Sequence, residues 1–522
     1  MVAGVELTYD INATALQMAN TILGDGVTVV GASYTGDSRA SAIYDDGDSI
    51  SPGVTPGDTG IILSTGQATA FTSTGSQSNI RSNTTTGSGG PNNNAEFNAL
   101  AGRSTYDASF LDMDFIPDPG VEFLTLKFVF SSEEYPEYAG SIYNDMVGVW
   151  SNGQVVPLAA GNGQSSVGNI NQSGGVNLFN DNTGDQFNTE MDGFTVTMSV
   201  TIPVIPGQVN TLRIGVADVA DNLYDSNLLI AADSVQGMLV AHADDVLLRP
   251  GDSKVVDVTA NDINNTGGSV VITHINDQPV VAGQTVVLTT GQSITLNVDG
   301  TLSMVGNSVS EDVAFTYEIE SSTGESAVGF ILIDTVPCFV AGTMIRTDRG
   351  DVPVDRLRIG DLVLTIDDGL QPIRWIGRRT LPAEGSMAPV RILRGTFGNH
   401  QTLTVSPLHR ILVRNVHAEL LFGSSEVLIA ARDLIDGRNV SQIEGGFVQY
   451  FHLLFDRHQV VWSEGLETES FLPGPQTTHC FEQATVAEIC EIFPELDPAT
   501  GAGYGPAVRP ALKHFEANLL AS

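Results

Sequence analysis

The sequence predicts a mainly β protein: a β-rich N-terminal domain with one helix, a β-sandwich spacer, and an all-β C-terminal domain with a short helical tail. Three observations carry this. Glycine is abundant (55 residues), and the low-charge segments are rich in Thr, Ser, Val, Asn and Asp, which is strand and turn chemistry. Short apolar runs, such as GIILST at 60–65 and EFLTLKFVF at 122–130, recur between Gly, Asn and Asp turns. In the front part only residues 10–23 (DINATALQMANTIL) give a helical stripe, through Ala13, Leu16, Met18, Ala19 and Ile22, with Asn12 as the expected cap. At 522 residues the chain is too long for one core. The boundaries read 1–240, 241–335, 336–475 and 476–522, the last with helices expected near 482–492 and 508–520.

Charge divides the chain at the same place as composition. Residues 1–337 hold 7 basic and 39 acidic side chains, a net of −32, whereas residues 338–522 hold 16 and 22, a net of −6. So acidic a front half argues against nucleic acid as a partner, because binding a phosphate backbone needs basic patches. It fits a solubilising extracellular surface, or one that takes up calcium through oxygen ligands. The three cysteines, Cys338, Cys480 and Cys490, cannot make a disulfide framework and lack C-x-x-C zinc spacing. The opening MVAGVELTYD has neither a basic n-region nor an apolar h-region, so no Sec signal is read there. No apolar run reaches the roughly 18 residues that a membrane span needs.

Residues 73–94 (STGSQSNIRSNTTTGSGGPNNN) are low in complexity and read as a mobile surface loop. Further on, SEEY at 132–135, NDMVGVW at 144–150, FTV at 194–196 and IGVADVADNLYDS at 214–226 follow one another. In that order they resemble the bacterial surface module called a choice-of-anchor L domain, over about residues 5–240. The resemblance implies an exported protein and names no reaction. Glu133, Glu134, Asn144 and Asp145 could together ligate calcium, although turn capping also explains residues of these types. The next unit runs through DVTANDINNTGG, VVLTTGQSITLNVDGTLSM and FTYEIESSTGESAVGFILI, and resembles the cadherin-like and Ig-like repeats of large adhesins. It reads as a spacer.

The chemistry begins at Cys338. CFVAGTMIRTDRGDVPVDRLRIGDLVLT (338–365) reads as strand, glycine turn, strand, a short helical turn at PVDRLRIG, and strand. Its order of Cys-Phe, Gly-Thr, Gly-Asp and intervening apolar positions resembles the opening block of the Hint family, which Hedgehog processing domains and inteins share. Two later blocks extend the resemblance: LTVSPLHRILV (403–413) and YFHLLFDRHQVVWSEG (450–465). The first implies Ser406 as the hydroxyl three residues before His409, with Thr404 a second hydroxyl candidate. The second implies Asp456 and His458, and His452 lies one strand-face repeat away.

The resemblance implies self-processing with Cys338 as nucleophile. A thiol is mostly protonated at neutral pH, so a histidine must take its proton. The attacked carbonyl belongs to Pro337, and the departing nitrogen to Cys338 itself; the family gives its protonation to His409. Pro337 fixes φ at about −65° and delivers Val336 extended. After Gly465 the register where inteins carry His-Asn holds Glu469 and Ser470, so the expectation is cleavage or acyl transfer at one bond, not splicing. The substrate is then the chain's own N-terminal half, and the acceptor is water, an amine or a thiol. No cofactor is needed for that step; calcium belongs, if anywhere, to the N-terminal half. The alternative is a non-catalytic adhesin whose Hint module is a relic. Secretion or surface display is expected, by one-step export read from the C-terminal end.

Overall fold

In the computed structural model, residues 2–520 are described apart from 140, 161–164, 173, 247, 249–252, 307–312, 334–337, 384–387, 423, 474–488, 491, 494–495, 497–503, 513–516 and 518–519. The chain folds as two compact units. One comprises Met1–Asp244, Lys254–Val305 and Val313–Leu332; the other comprises Asp245–Ser253, Gly306–Asp312 and Ile333–Ser522. Strand dominates both, as the composition predicts. Among the described residues no helix is long and apolar enough to cross a membrane.

Residues 8–231 of the first unit form two antiparallel sheets. One runs Thr8–Asp10, Ser41–Asp45, Gly60–Ser64, Ser226–Ala231, Phe123–Ser132, Gly193–Thr195 and Phe179–Asp181, with Met198–Pro203 also on Phe123–Ser132. The other runs Val27–Thr35, Thr105–Pro117, Asn210–Val219, Met146–Ser151 and Gln154–Val155. Gly60–Ser64 and Ser226–Ala231 are buried at every position, so both faces of these central strands are covered. Leu111, Met113 and Phe115 pack with Leu124, Leu126 and Phe128 in one core.

The helix predicted at 10–23 forms over Ala15–Ile22, and Thr14 rather than Asn12 caps it. Thr14 accepts from the Gln17 amide and the Gln17 side chain answers to the Thr14 backbone, a reciprocal capping box. Met18, Ala19 and Ile22 are buried, whereas Leu16 faces solvent. Two short helices were not legible: Gly47–Ile50, and Ala95–Ala101 with Asn94 as its cap. The segment 73–94 is not a free loop. Asp185 accepts from the Ser78 and Asn79 amides, Glu190 from Ile80, Glu133 from Thr84 and Asp225 from Thr86. Composition alone cannot show that buried carboxylates elsewhere in the chain take up these amides.

The spacer has two small sheets. Val313–Ser321 pairs with Val270–Ile275, and Ser293–Leu296 lies between Thr285–Val287 and Leu302–Val305. Lys127, from the preceding domain, reaches Glu318 at 3.0 Å within the same compact unit.

In the second unit, Phe339–Val340 is central to a six-stranded sheet ordered Trp375–Pro382, Phe447–Leu454, Phe339–Val340, Leu403–Val405, Val390–Ile392 and Val440–Gln442. A second sheet contains Met344–Thr347, Leu362–Thr365, Val460–Ser463, Leu466–Glu469 and Arg410–Arg414. The predicted turn at PVDRLRIG is a single 3-10 turn, Val354–Arg356. Phe339, Ile345, Val363, Val405, Ile411, Phe451 and Val461 fill the core. In the tail, Ile489, Cys490 and Ile492 are helical, as are Ala517 and Leu520, while Ala511 bridges Leu428 in parallel; residues 482–488, 491, 513–516 and 518–519 of the two expected helices lie outside the described residues.

Leu403 is fully buried, one residue pair from the Val405–Phe339 contact, whereas Leu393 is 37% exposed. Leu403→Ala should therefore cost about 2–5 kcal/mol in denaturant unfolding, and Leu393→Ala a small fraction of that.

Candidate functional site

Cys338 immediately precedes the strand Phe339–Val340 of the six-stranded sheet, and hydrogen bonds to Ser406 fix it. Its amide N–H donates to Ser406 Oγ at 2.7 Å, and its carbonyl accepts from the Ser406 amide at 2.9 Å. The following residue, Phe339, pairs with Val405 on one side and Phe451 on the other. Cys338 is 1% exposed. Its Sγ lies 3.4 Å from His452 Nε2, a contact within hydrogen-bond reach for sulfur.

His452 is held by its own strand. It sits on Phe447–Leu454 opposite Gly377, and the Trp375 ring stacks near it at 6.5 Å between centroids. A Cβ at Gly377 would come within 2.2 Å of that indole, so glycine is what lets Trp375 fold across. Phe471 closes the other side, 5.5 Å from the His452 ring.

His409 follows Ser406 through a turn in which its amide donates to the Ser406 carbonyl at 3.0 Å. Its ring packs on Phe339 at 4.3 Å and is 2% exposed. Neither ring nitrogen has a hydrogen-bond partner among the described residues. Burial pushes its pKa down to about 4, so the imidazole is neutral at pH 7 and offers one donor and one acceptor.

The remaining expected residues fall into two groups. His458 is buried: its Nδ1 accepts from the Val508 amide at 3.1 Å, which leaves the proton on Nε2, facing the Ser470 carbonyl at 3.1 Å and Glu469 at 3.5 Å. Thr404 and Asp456 are not brought to the cysteine. Thr404 meets Thr343 through its carbonyl, and the Thr404 hydroxyl is not the one on Cys338. Asp456 is half exposed and pairs with Arg374 at 2.9 Å, as a carboxylate in a turn between buried strands is free to do. His452, one strand-face repeat from the matched pair, is the histidine beside the cysteine sulfur. Sequence reasoning missed Glu469 as a buried ion. Arg410 gives it a backbone N–H at 3.0 Å and a guanidinium at 3.2 Å. Burial would raise the Glu469 pKa, but Arg410 and His458 bring it down to about 2.

Residues 337–475 match the family model of the Hint domain, and residues 8–236 that of the Choice-of-anchor L domain. The chain carries a Hint domain. Solved structures similar to the chain include the gp41-1 intein (9% identity, TM-score 0.18, covering 26% of this chain and 98% of that one). The MchDnaB-1 intein gives 10%, 0.17, 25% and 98% in the same measures. The N-terminal eight Ig domains of Down Syndrome Cell Adhesion Molecule give 9%, 0.15, 58% and 35%. No curated protein matches the chain.

Ahead of the Hint domain, within the choice-of-anchor L match, most of the residues expected to ligate calcium are hydrogen-bonded to the backbone. Glu133 accepts from the Thr84 and Asp192 amides at 2.8 and 3.2 Å, and Asn144 from Gly168 at 2.6 Å. Asp145 accepts from the Val219 amide and the Ser226 hydroxyl. Glu134 is buried with one carboxylate oxygen unpartnered among the described residues. Among the described residues, no three His, Cys, Asp or Glu side chains are grouped to hold a metal ion. Turn capping explains Glu133, Asn144 and Asp145 because each aligns with a loop amide, which dictates where its oxygens point.

Burial raises several of these carboxyl groups: Glu133 to about 8, Asp192 to about 6, and Glu134, Asp145 and Asp218 upward as well, with neighbouring carboxylates adding to it. In the unfolded chain such groups ionise in the ordinary carboxylate range. Between that range and their folded values the unfolded state binds fewer protons, so stability falls as pH rises. The first unit should therefore have a higher Tm near pH 5 than near pH 8, read by calorimetry; a Tm that rises over that interval contradicts the assignment.

Proposed function

We propose that Cys338 attacks the Pro337 carbonyl in an N-to-S acyl shift, which leads to cleavage or acyl transfer of the acidic N-terminal half. One observation carries this reading. The same residue has its thiol at 3.4 Å from a buried histidine, His452, and its amide N–H on a buried hydroxyl, Ser406. Nucleophile, base and the group that holds the leaving nitrogen thus meet on Cys338.

The step balances within the chain. His452 takes the thiol proton; sulfur bonds to the Pro337 carbonyl carbon; the carbon–nitrogen bond breaks; and the proton ends on the Cys338 amine. Ser406 holds that nitrogen from before attack until after it. His409, packed on Phe339 with both ring nitrogens unpartnered among the described residues, is assigned the last leg of that proton's path: it gives its own ring proton to the nitrogen and takes up the one released by His452, and so ends neutral. The register after Gly465 carries Glu469 and Ser470, and both are committed elsewhere: Glu469 to Arg410, and the Ser470 hydroxyl to the Gln459 amide. With no side chain there able to cyclise, the thioester passes to water, an amine or a thiol. A choice-of-anchor L domain upstream fits a protein displayed or secreted, with the front half as the released piece.

Purified full-length protein should split into a piece ending at Pro337 and a piece beginning at Cys338, faster with dithiothreitol or hydroxylamine. Cys338→Ala should give one intact band under every condition. His452→Ala should slow cleavage by about 10²–10⁴-fold, the usual contribution of a positioned base. Ser406→Ala should slow it by about tenfold, as expected for one buried hydrogen bond. Persistence of the intact wild-type chain with both reagents would instead favour the adhesin with a relic domain.

A further inference from the structure

The segment beyond the family match, from Tyr504 to Leu512, is strapped against the Hint domain by six separate contacts. The Tyr504 hydroxyl donates to the Phe455 carbonyl at 2.7 Å. The Val508 amide donates to His458 Nδ1 at 3.1 Å. Arg509 pairs with Glu426 at 2.6 Å and with Asp367 at 2.7 Å. Leu428 donates to the Pro510 carbonyl and accepts from the Leu512 amide, each at 2.8 Å. Backbone pairing and two ion pairs thus bracket the contact with His458, which with Glu469 lies close enough to His409 for their charges to act on it.

That contact has a chemical consequence. A neutral imidazole carries one proton, and the Val508 N–H needs the Nδ1 lone pair. The proton must then sit on Nε2, where it meets the Ser470 carbonyl and the Glu469 carboxylate. In the other tautomer a lone pair would face both oxygens while Nδ1–H met the Val508 N–H. The strap also joins the apolar cluster around the nucleophile. Tyr504 belongs, with Ile489 and Leu496, to the apolar cluster that contains Cys338, Trp375, Tyr450 and Phe471.

We propose that residues 504–512 are a working part of the processing site, with Val508 as a positioning residue that fixes His458 in its Nε2–H form. The inference rests on the autoprocessing reading for its kinetic arm, but its spectroscopic arm stands alone. Val508→Pro removes the N–H, and Val508→Ala, which keeps it, is the reference. In the full chain V508P should cleave about tenfold more slowly than V508A, one buried hydrogen bond's worth, and its pH–rate profile should shift. Arg509→Ala, which unties the strap at Glu426 and Asp367, should slow cleavage in the same direction and still tests the strap if V508P does not fold.

The tautomer itself is read by ¹⁵N NMR of histidine-labelled Cys338→Ala protein, which holds whether or not the wild type cleaves. A His458 signal protonated at Nε2, lost or altered in C338A/V508P, is the expected result. Protonation at Nδ1, or V508P and V508A with equal rates and the same pH profile, overturns the proposal. An Nε2–H signal in a chain that never cleaves would leave the strap in place and refute the autoprocessing reading instead.

Discussion

The arrangement around the nucleophile depends on one two-way contact between Cys338 and Ser406. The cysteine amide gives its proton to the serine hydroxyl, and the serine amide gives its proton to the cysteine carbonyl. This ties the residue just before one strand to the residue just after another, which sets the direction in which the thiol points. That direction ends at His452. Had the ladder slipped by one residue, every side chain would change face, and Cys338 would leave the histidine.

Buried polar groups in such a core must be paired, and the Hint domain pairs almost all of those near the site. Glu469 is neutralised by Arg410, His458 is engaged at both nitrogens, and Ser470 is held through its carbonyl and hydroxyl. Besides the Gln459 side-chain oxygen, His409 stands out among the described residues, since both of its nitrogens lack partners. A buried imidazole left free beside a closed network is costly unless a step of the reaction uses it. The same logic separates Asp456 from the site: a carboxylate with Arg374 at the surface needs no further partner.

The acidic front half solves the opposite problem. Its buried carboxylates are spent on backbone amides, many from the Ser-, Asn- and Thr-rich segment 73–94 that offers little apolar surface of its own. Acceptors at Asp185, Glu133, Glu190 and Asp225 give that segment fixed positions, at the cost of crowding like charges that burial already disfavours. Acidity here builds structure as well as solubility.

Much of this was legible in the sequence. The strand-rich class followed from turn residues and short apolar runs, and Cys338, Ser406 and His409 from ordered blocks whose local spacing the fold preserves. Local patterns carry such information because strands and turns are specified by near neighbours. What the sequence could not decide was which distant side chains meet. Choosing Ser406 over Thr404 took the strand pairing of residues 338 and 406. Choosing His452 among the histidines as the one on the sulfur took the alignment of Phe447–Leu454 beside Phe339–Val340. Joining Val508 to His458 took a return of the chain across 50 residues. These are long-range pairings, set by how whole sheets pack, and no window of sequence contains them.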